Sequence, residues 1–169
     1  KKLLKFANKA IDDGKFYEGI SYLEEIINLE KRFLGKYHPD LAETLNYIGE
    51  IYLIDLFEYD KAESYFVKSL KIREKNFSEE HQNIAFALNN LGFLYYKQSL
   101  FDKAEPLYLR ALKIREKSLG DNHPFTSLSL RNLGILYKEK ELYKKAEPLL
   151  IKSLKIDKKN LGSDHPDIA

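Results

Sequence analysis

Four histidines recur along the chain at nearly constant spacing, and histidine is a common metal ligand. They are His38, His81, His123 and His165, separated by 43, 42 and 42 residues. Ligands that share one zinc ion, at bond lengths of about 2 Å, lie within about 4 Å of one another. One histidine per repeated unit instead places them at least a helix-packing distance apart, about 8–10 Å. We therefore expect the histidines to cap helix starts at corners, and we expect no metal site.

Catalytic motifs are the second possibility for chemistry. Carboxylates are numerous, but they stand next to lysines on what read as solvated helix faces, as in Glu74-Lys75 and Glu116-Lys117. The sequence contains no glycine-rich phosphate loop, no HExxH and no GxSxG. It also has no cysteine, which excludes a thiolate nucleophile. We expect no enzymatic activity in this segment and no cofactor.

The composition fits a folded protein without a strong charge bias. Of 169 residues, 44% are hydrophobic and 32% are charged, and the formal net charge is +2. A nucleic-acid-binding domain typically carries a large excess of basic residues, and this net charge is far from such an excess. No apolar run approaches the roughly 20 residues of a membrane span, and the start, KKLLKFANKAIDDG, does not resemble a secretory signal. We expect a cytoplasmic protein with neither a nucleic-acid nor a membrane partner.

Basic runs recur on the second half of each repeated unit. Nucleic-acid binding along them is one reading, but acidic residues are interleaved with the basic ones, which favours a solvated outer surface. The runs are Lys71, Arg73 and Lys75, then Arg110, Lys113 and Arg115, then Lys152 and Lys155.

Alignment on the histidines brings many other residues into register. Residues 77–118 and 119–160 are identical at 17 of 42 positions, which establishes an internal repeat. The predicted units are 1–34, 35–76, 77–118 and 119–160, with a further unit starting at 161–169. The extra residue in the first spacing falls between Gly49 and Ala62, in a turn near Asp55. The chain has no methionine, begins at Lys1 and ends in HPDIA, so we interpret it as an excerpt of a longer protein.

Each unit reads as two helices. In 84–97 the apolar residues recur at steps of three and four, and 101–117 repeats the pattern. Gly92 costs helix propensity, which predicts close packing against the partner helix. Gly120 is the expected left-handed cap of the second helix. The sequence therefore predicts eight helices in an all-α fold, an α-solenoid of stacked antiparallel helix pairs forming a single repeat domain over 1–169, with first helices lining a concave face.

The stretch 88–112, LNNLGFLYYKQSLFDKAEPLYLRAL, resembles a tetratricopeptide repeat. Gly92, Tyr95, Ala104, Tyr108 and Ala111 match the pattern of that family. The 42-residue unit with AEPL, ALKIREK and LGxxHP is similar to the kinesin light chain variety. The resemblance implies a right-handed superhelix and a protein-binding scaffold without a role in motor transport. Kinesin light chains bind extended peptides in the concave groove, often with an aromatic residue among acidic ones.

Candidate groove residues lie on the face of each first helix that points away from its partner helix. By the resemblance, Asn46, Asn89 and Arg131 match the position that grips peptide backbone or acidic groups, and we judge Asn89 and Arg131 unnecessary for packing. Aromatic residues and cations together after residue 85 favour an acidic, aromatic peptide. Alternatively, the apolar members pack between neighbouring first helices. The predicted site comprises Asn46, Glu50, Phe86, Asn89, Phe93, Tyr96, Lys97, Arg131, Ile135 and Lys138.

A protein or peptide partner is thus the main hypothesis, and two alternatives stay open. The first is a structural or self-associating arm of a larger signalling or effector protein. In the last complete helix, about 143–160, we expect Leu149, Leu150 and Leu154 to face a neighbour, and an uncapped terminal repeat is an association surface. The second alternative is a sensor arm attached to a catalytic domain elsewhere.

Overall fold

The computed structural model describes residues 2–161, and this part of the chain forms α-helices and no strands. The predicted all-α fold of stacked helix pairs is therefore confirmed. His165 and residues 162–169 of the predicted further unit lie outside the described residues. The eight helices are α1 (Lys2–Asp12), α2 (Phe16–Leu34), α3 (Pro39–Ile54), α4 (Tyr59–Asn76), α5 (Gln82–Lys97), α6 (Phe101–Leu119), α7 (Pro124–Glu139) and α8 (Tyr143–Leu161).

The chain divides into two compact parts, each containing two helix pairs. The N-terminal part is Lys1–Ser78 and contains α1–α4, and the C-terminal part is Glu79–Ala169 and contains α5–α8. The division falls close to the boundary between the second and third units predicted from the repeat. The single domain over 1–169 stays a prediction. Within 2–161, no helix combines the length and the apolar character that crossing a bilayer requires.

In every pair, the residue two positions before the second helix has a left-handed backbone conformation, with positive φ. A backbone N–H then closes the turn onto a carbonyl of the last turn of the first helix, at 2.8 Å in each pair. The loop of the second pair, 55–58, is one residue longer than the others, as predicted. The left-handed residues are Gly14 (φ 74°), Phe57 (56°), Ser99 (59°) and Glu141 (58°).

In each of the last three pairs, a glycine of the first helix contacts a large side chain of the second, whereas in the first pair the glycine is Gly19 of the second helix and it contacts Ile11 of the first. A Cβ atom on Gly92 would lie 2.7 Å from Cε1 of Tyr108, far inside van der Waals contact. The close packing predicted for this glycine is therefore confirmed. The same contact recurs in the neighbouring pairs, as Gly49 with Phe66 and Gly134 with Leu150.

A cation–π contact ties the two ends of the turn in the last three pairs. A tyrosine in the last turns of the first helix lies under a lysine in the first turn of the second. Such contacts contribute about 0.5–1 kcal/mol each at exposed sites. The distances from Nζ to the ring centroid are 5.1 Å for Lys61 and Tyr52, 5.2 Å for Lys103 and Tyr95, and 5.3 Å for Lys145 and Tyr137.

The described histidines cap first helices, as predicted. Each imidazole Nδ1 accepts the backbone N–H two residues ahead, at 3.3 Å for His38, 3.1 Å for His81 and 3.1 Å for His123. One expectation about caps is wrong in detail. Gly120 ends α6 with φ 88° but ψ 165°, so its backbone is extended and not in the left-handed helical region. Only glycine readily adopts that combination of angles.

We predict that Gly92→Ala destabilises the chain by about 1–3 kcal/mol, because the added methyl group overpacks the buried Tyr108 ring. Urea unfolding followed by circular dichroism measures the change. In a Tyr108→Ala background, the same substitution should be neutral or stabilising by up to about 1 kcal/mol, since only helix propensity remains. An equal loss in both backgrounds would contradict the role assigned to the Gly92–Tyr108 contact.

Candidate functional site

Three predicted site residues form one cluster on α5 of the C-terminal part. The Phe93 and Tyr96 rings stack with centroids 6.4 Å apart at 16°, and Lys97 Nζ lies 6.0 Å from the Phe93 centroid. Both rings are half-buried and Lys97 is exposed. Burial raises the pKa of the Tyr96 hydroxyl, and the Glu139 charge adds to the increase, so the hydroxyl stays protonated as a hydrogen-bond donor. We call Phe93, Tyr96 and Lys97 the α5 cluster.

The remaining apolar and cationic candidates of this part are distributed along α5 and α7. Phe86, two turns before Phe93 on α5, is 38% exposed. On α7, Ile135 is half-buried and Lys138 is exposed. Half-burial of Phe93 and Ile135 is compatible both with packing and with an accessible binding surface, so both readings of these residues stay open.

Asn89 is buried, with 9% of its surface exposed, and it already has a structural partner. Its Oδ1 accepts a hydrogen bond from Nδ2 of Asn132 on α7, at 2.8 Å. The judgement that Asn89 is unnecessary for packing is therefore wrong, because it joins α5 to α7. Sequence reasoning missed Asn132, although Asn90 and Asn132 are one of the identical pairs in the repeat alignment.

Arg131 is exposed, but its guanidinium is engaged by α8. Its Nη2 lies 3.3 Å from Oδ2 of Asp157, whose side chain is largely buried. Sequence reasoning missed this partner too. A signal existed, because the residue aligned with Asp157 is Arg73 in one unit and Arg115 in the next. The unit that has Arg131 on its first helix therefore also has a carboxylate, Asp157, at the position where the two preceding units have arginine.

The two candidates of the N-terminal part form a pair on α3. Asn46 is 4% exposed, and its Nδ2 donates to Oε1 of Glu50 at 2.8 Å. One turn separates them on the helix, which is the spacing at which such side chains meet. The amide of Asn46 is therefore oriented by Glu50.

Two arginines of the basic runs are not on a solvated surface, contrary to expectation. Arg73 and Arg115 are only 2% and 3% exposed. Arg115 Nη1 donates to the Phe125 carbonyl at 3.1 Å and to Ser129 Oγ at 2.7 Å, so polar groups of α7 replace water. Burial lowers the pKa of the Arg115 guanidinium to about 10, which leaves it charged at neutral pH. Arg73 pairs with Glu43 at 3.0 Å.

Two of the three leucines expected to face a further neighbour make contacts within the C-terminal part. Leu150 contacts Gly134 of α7, and Leu149 packs against the core of this part. Leu150 reaches α7 because the small Gly134 lets α8 approach closely. Leu154 remains exposed, together with Ile151 one turn before it. The neighbour that the three leucines were expected to face lies outside the described residues, so that expectation stays a prediction.

The acidic and histidine side chains do not gather into a centre. Among residues 2–161, no three histidine, aspartate or glutamate side chains are grouped so that they could hold a metal ion. The predicted site residues offer aromatic and aliphatic surface, side-chain amides, cations and the carboxylate of Glu50. These groups suit non-covalent recognition of a polypeptide.

The family model for the tetratricopeptide repeat matches three overlapping stretches, residues 3–75, 42–117 and 83–159. Together they cover nearly the whole chain. A comparison with curated protein sequences finds no match.

Solved structures share this fold. BtubC (BKLC) from P. vanneervenii is 25% identical with a TM-score of 0.83, over 97% of this chain and 65% of that one. This chain thus spans less than two thirds of BtubC. A Podosopora anserina protein described as a kinesin light chain with nearly identical tetratricopeptide-like repeats is 21% identical, with a TM-score of 0.80, over 99% and 78% of the two chains.

A Rap protein solved in complex with competence and sporulation factor is 19% identical, with a TM-score of 0.75, over 92% of this chain and 41% of that one. The repeat of about 42 residues that the sequence predicts is confirmed, and the structures of similar fold include kinesin light chain-like proteins. The fold and the family match agree, and the chain belongs to the tetratricopeptide repeat family.

Proposed function

We propose that this chain is a scaffold for protein–protein interaction, and that its C-terminal part binds an extended peptide of acidic and aromatic character along α5 and α7. Membership of the tetratricopeptide repeat family supports the scaffold role. A Rap protein of similar fold has been solved with a bound factor, which supports ligand binding by such repeats. The proposal assigns no reaction to the chain, and the expected cytoplasmic location stays a prediction.

The observation that carries the peptide proposal is the α5 cluster. Two stacked, half-buried rings beside an exposed lysine present an apolar face and a positive charge within one turn of helix. Aromatic anchors are among the side chains that most often carry binding energy at interfaces, and an exposed lysine attracts an acidic ligand. A peptide with an aromatic residue next to a carboxylate would fill both halves of this surface.

We expect a fluorescein-labelled peptide with one aromatic residue among acidic ones to bind the chain in an anisotropy titration. Phe93→Ala and Lys97→Glu should each weaken that binding at least about fivefold, because each removes an anchor of more than about 1 kcal/mol. Tyr143→Ala and Lys155→Glu are matched controls, since they change an exposed aromatic and an exposed cation on α8. Both controls should bind like the unmodified chain.

The peptide panel also contains a sequence-scrambled pool and a peptide in which lysines replace the acidic residues. Preference for the lysine peptide, or unchanged affinity in both α5 variants, would contradict the proposal. Affinity should fall as salt is added, because Lys97 is exposed and screened by counterions.

Arg131 offers a second, separate test, because Asp157 competes with any ligand carboxylate for its guanidinium. Asp157→Asn removes that competition and should raise the affinity for the acidic peptide by up to about fivefold, since an ion pair that is open to solvent on its arginine side contributes about 0.2–1 kcal/mol. The same anisotropy titration measures the change. Arg131→Ala/Asp157→Asn should show no gain, and a gain that persists in this double variant would rule out Arg131 as a ligand contact.

Self-association is the second candidate function, and the exposed apolar pair of α8 favours it. Ile151 and Leu154 lie one turn apart and are 44% and 40% exposed. Such a pair could meet its copy across a two-fold axis. Sedimentation velocity over a concentration series tests this. A sedimentation coefficient that rises with concentration, and no longer does so after Ile151→Glu/Leu154→Glu, would support self-association, whereas a constant coefficient would exclude it.

A further inference from the structure

A cavity of about 380 Å³ opens within the N-terminal part, and none of its lining residues belongs to the α5 cluster. Leu4 of α1 lines it, together with Thr44 and Tyr47 of α3. Leu23 and Ile26 of α2 also line the cavity. We call this space the α1–α3 pocket. It is large enough for a branched aliphatic side chain.

The polar part of the lining is acidic. Among the described residues that line the pocket, the charged ones are Glu30 of α2 and Glu43 of α3. Glu30 Oε2 accepts a hydrogen bond from Thr44 Oγ1 at 3.3 Å, which leaves its other oxygen available for a ligand. Glu43 is paired with Arg73 at 3.0 Å, yet its own side chain is 67% exposed.

Further acidic groups act on the pocket from nearby, and Arg73 at Glu43 is a cation that partly offsets them. Partial burial is the main reason that the pKa of Glu30 lies above its usual value, and the charge of Asp40 adds to the effect. Burial also raises the pKa of the Tyr47 hydroxyl, and the charges that add to that increase are Asp12, Asp55 and Glu50. A carboxylate in apolar surroundings and among like charges gains more from a nearby cation than one in open water.

We propose that the α1–α3 pocket binds a protein segment in which an aliphatic residue is flanked by lysine or arginine. The aliphatic side chain enters between Leu4 and Tyr47 and rests on Leu23 and Ile26. The flanking cation approaches the carboxylate of Glu30. Apolar burial supplies affinity and the acidic surroundings select the charge of the ligand.

This inference rests on the proposed scaffold function and assigns the N-terminal part its own ligand class. That class is opposite in charge to the one proposed for the α5 cluster. A partner with both kinds of segment would be recognised twice, and each contact can be tested alone because the residues of the two sites do not overlap.

The experiment uses the whole chain and three labelled peptides, with leucine between two lysines, leucine between two glutamates, and glycine between two lysines. We expect the first peptide to bind most tightly. Glu30→Gln and Leu4→Ala should each weaken its binding by about threefold or more, as expected for one ion pair or one apolar contact. Glu25→Gln and Leu29→Ala change an exposed glutamate and an exposed leucine of α2 outside the pocket and serve as matched controls.

Leu4 is 47% exposed, so Leu4→Ala should leave the circular dichroism spectrum unchanged. If the spectrum of Leu4→Ala does change, the test of the pocket depends on Glu30→Gln alone. No binding of the lysine–leucine peptide would overturn the pocket proposal. Equal binding of the glutamate–leucine peptide, or no effect of Glu30→Gln, would do the same. The Phe93→Ala chain is measured in parallel with both ligand classes. If the Phe93→Ala chain no longer binds the acidic, aromatic peptide but still binds the lysine–leucine peptide, the two sites act independently. Failure of one proposal can then be told from failure of the other.

Discussion

The close approach of a first-helix glycine to a large side chain of the second helix is the contact on which the rest of the structure depends. Because Gly92 has no side chain, the Tyr108 ring lies directly against the backbone of α5, and Gly49 and Gly134 allow the same approach in their own pairs. This contact sets the distance and rotation of the two helices. It also determines which face of the first helix is buried against its partner helix and which face remains accessible to a ligand.

Much of this architecture could be predicted from the sequence because it depends on short, repeated patterns. The spacing of apolar residues, the histidine caps and the role of Gly92 all follow from local chemistry repeated every 42 residues. The left-handed turn residues could not be predicted, because only the first pair marks that position with glycine, while Ser99 and Glu141 adopt it in later pairs. The burial of Arg115 was hidden for a related reason, since only the start of the following helix supplies its partners.

The candidate site shows the same division between local and non-local information. Helical spacing sufficed to place Phe93, Tyr96 and Lys97 on one face, and the structure brings them into one cluster. The partners of Asn89 and Arg131 come from other helices, so their availability to a ligand could not be judged from spacing alone. In both parts of the chain, a surface that combines apolar area with charge supports a binding role, with opposite charge in each. The fold is common to its relatives, so the proposed specificity depends on the side chains that this chain places on that fold.

Residue-resolved NMR of the isotopically labelled chain with the acidic, aromatic peptide tests the central claim most directly. Our account predicts that the largest chemical-shift changes fall on the α5 cluster and on nearby residues of α7, with the helix pairing unchanged. It also predicts that the aromatic protons of the peptide show contacts to Phe93 or Tyr96. Shift changes concentrated on the exposed apolar pair of α8, or spread evenly over the helices, would contradict the assignment of α5 as the ligand surface.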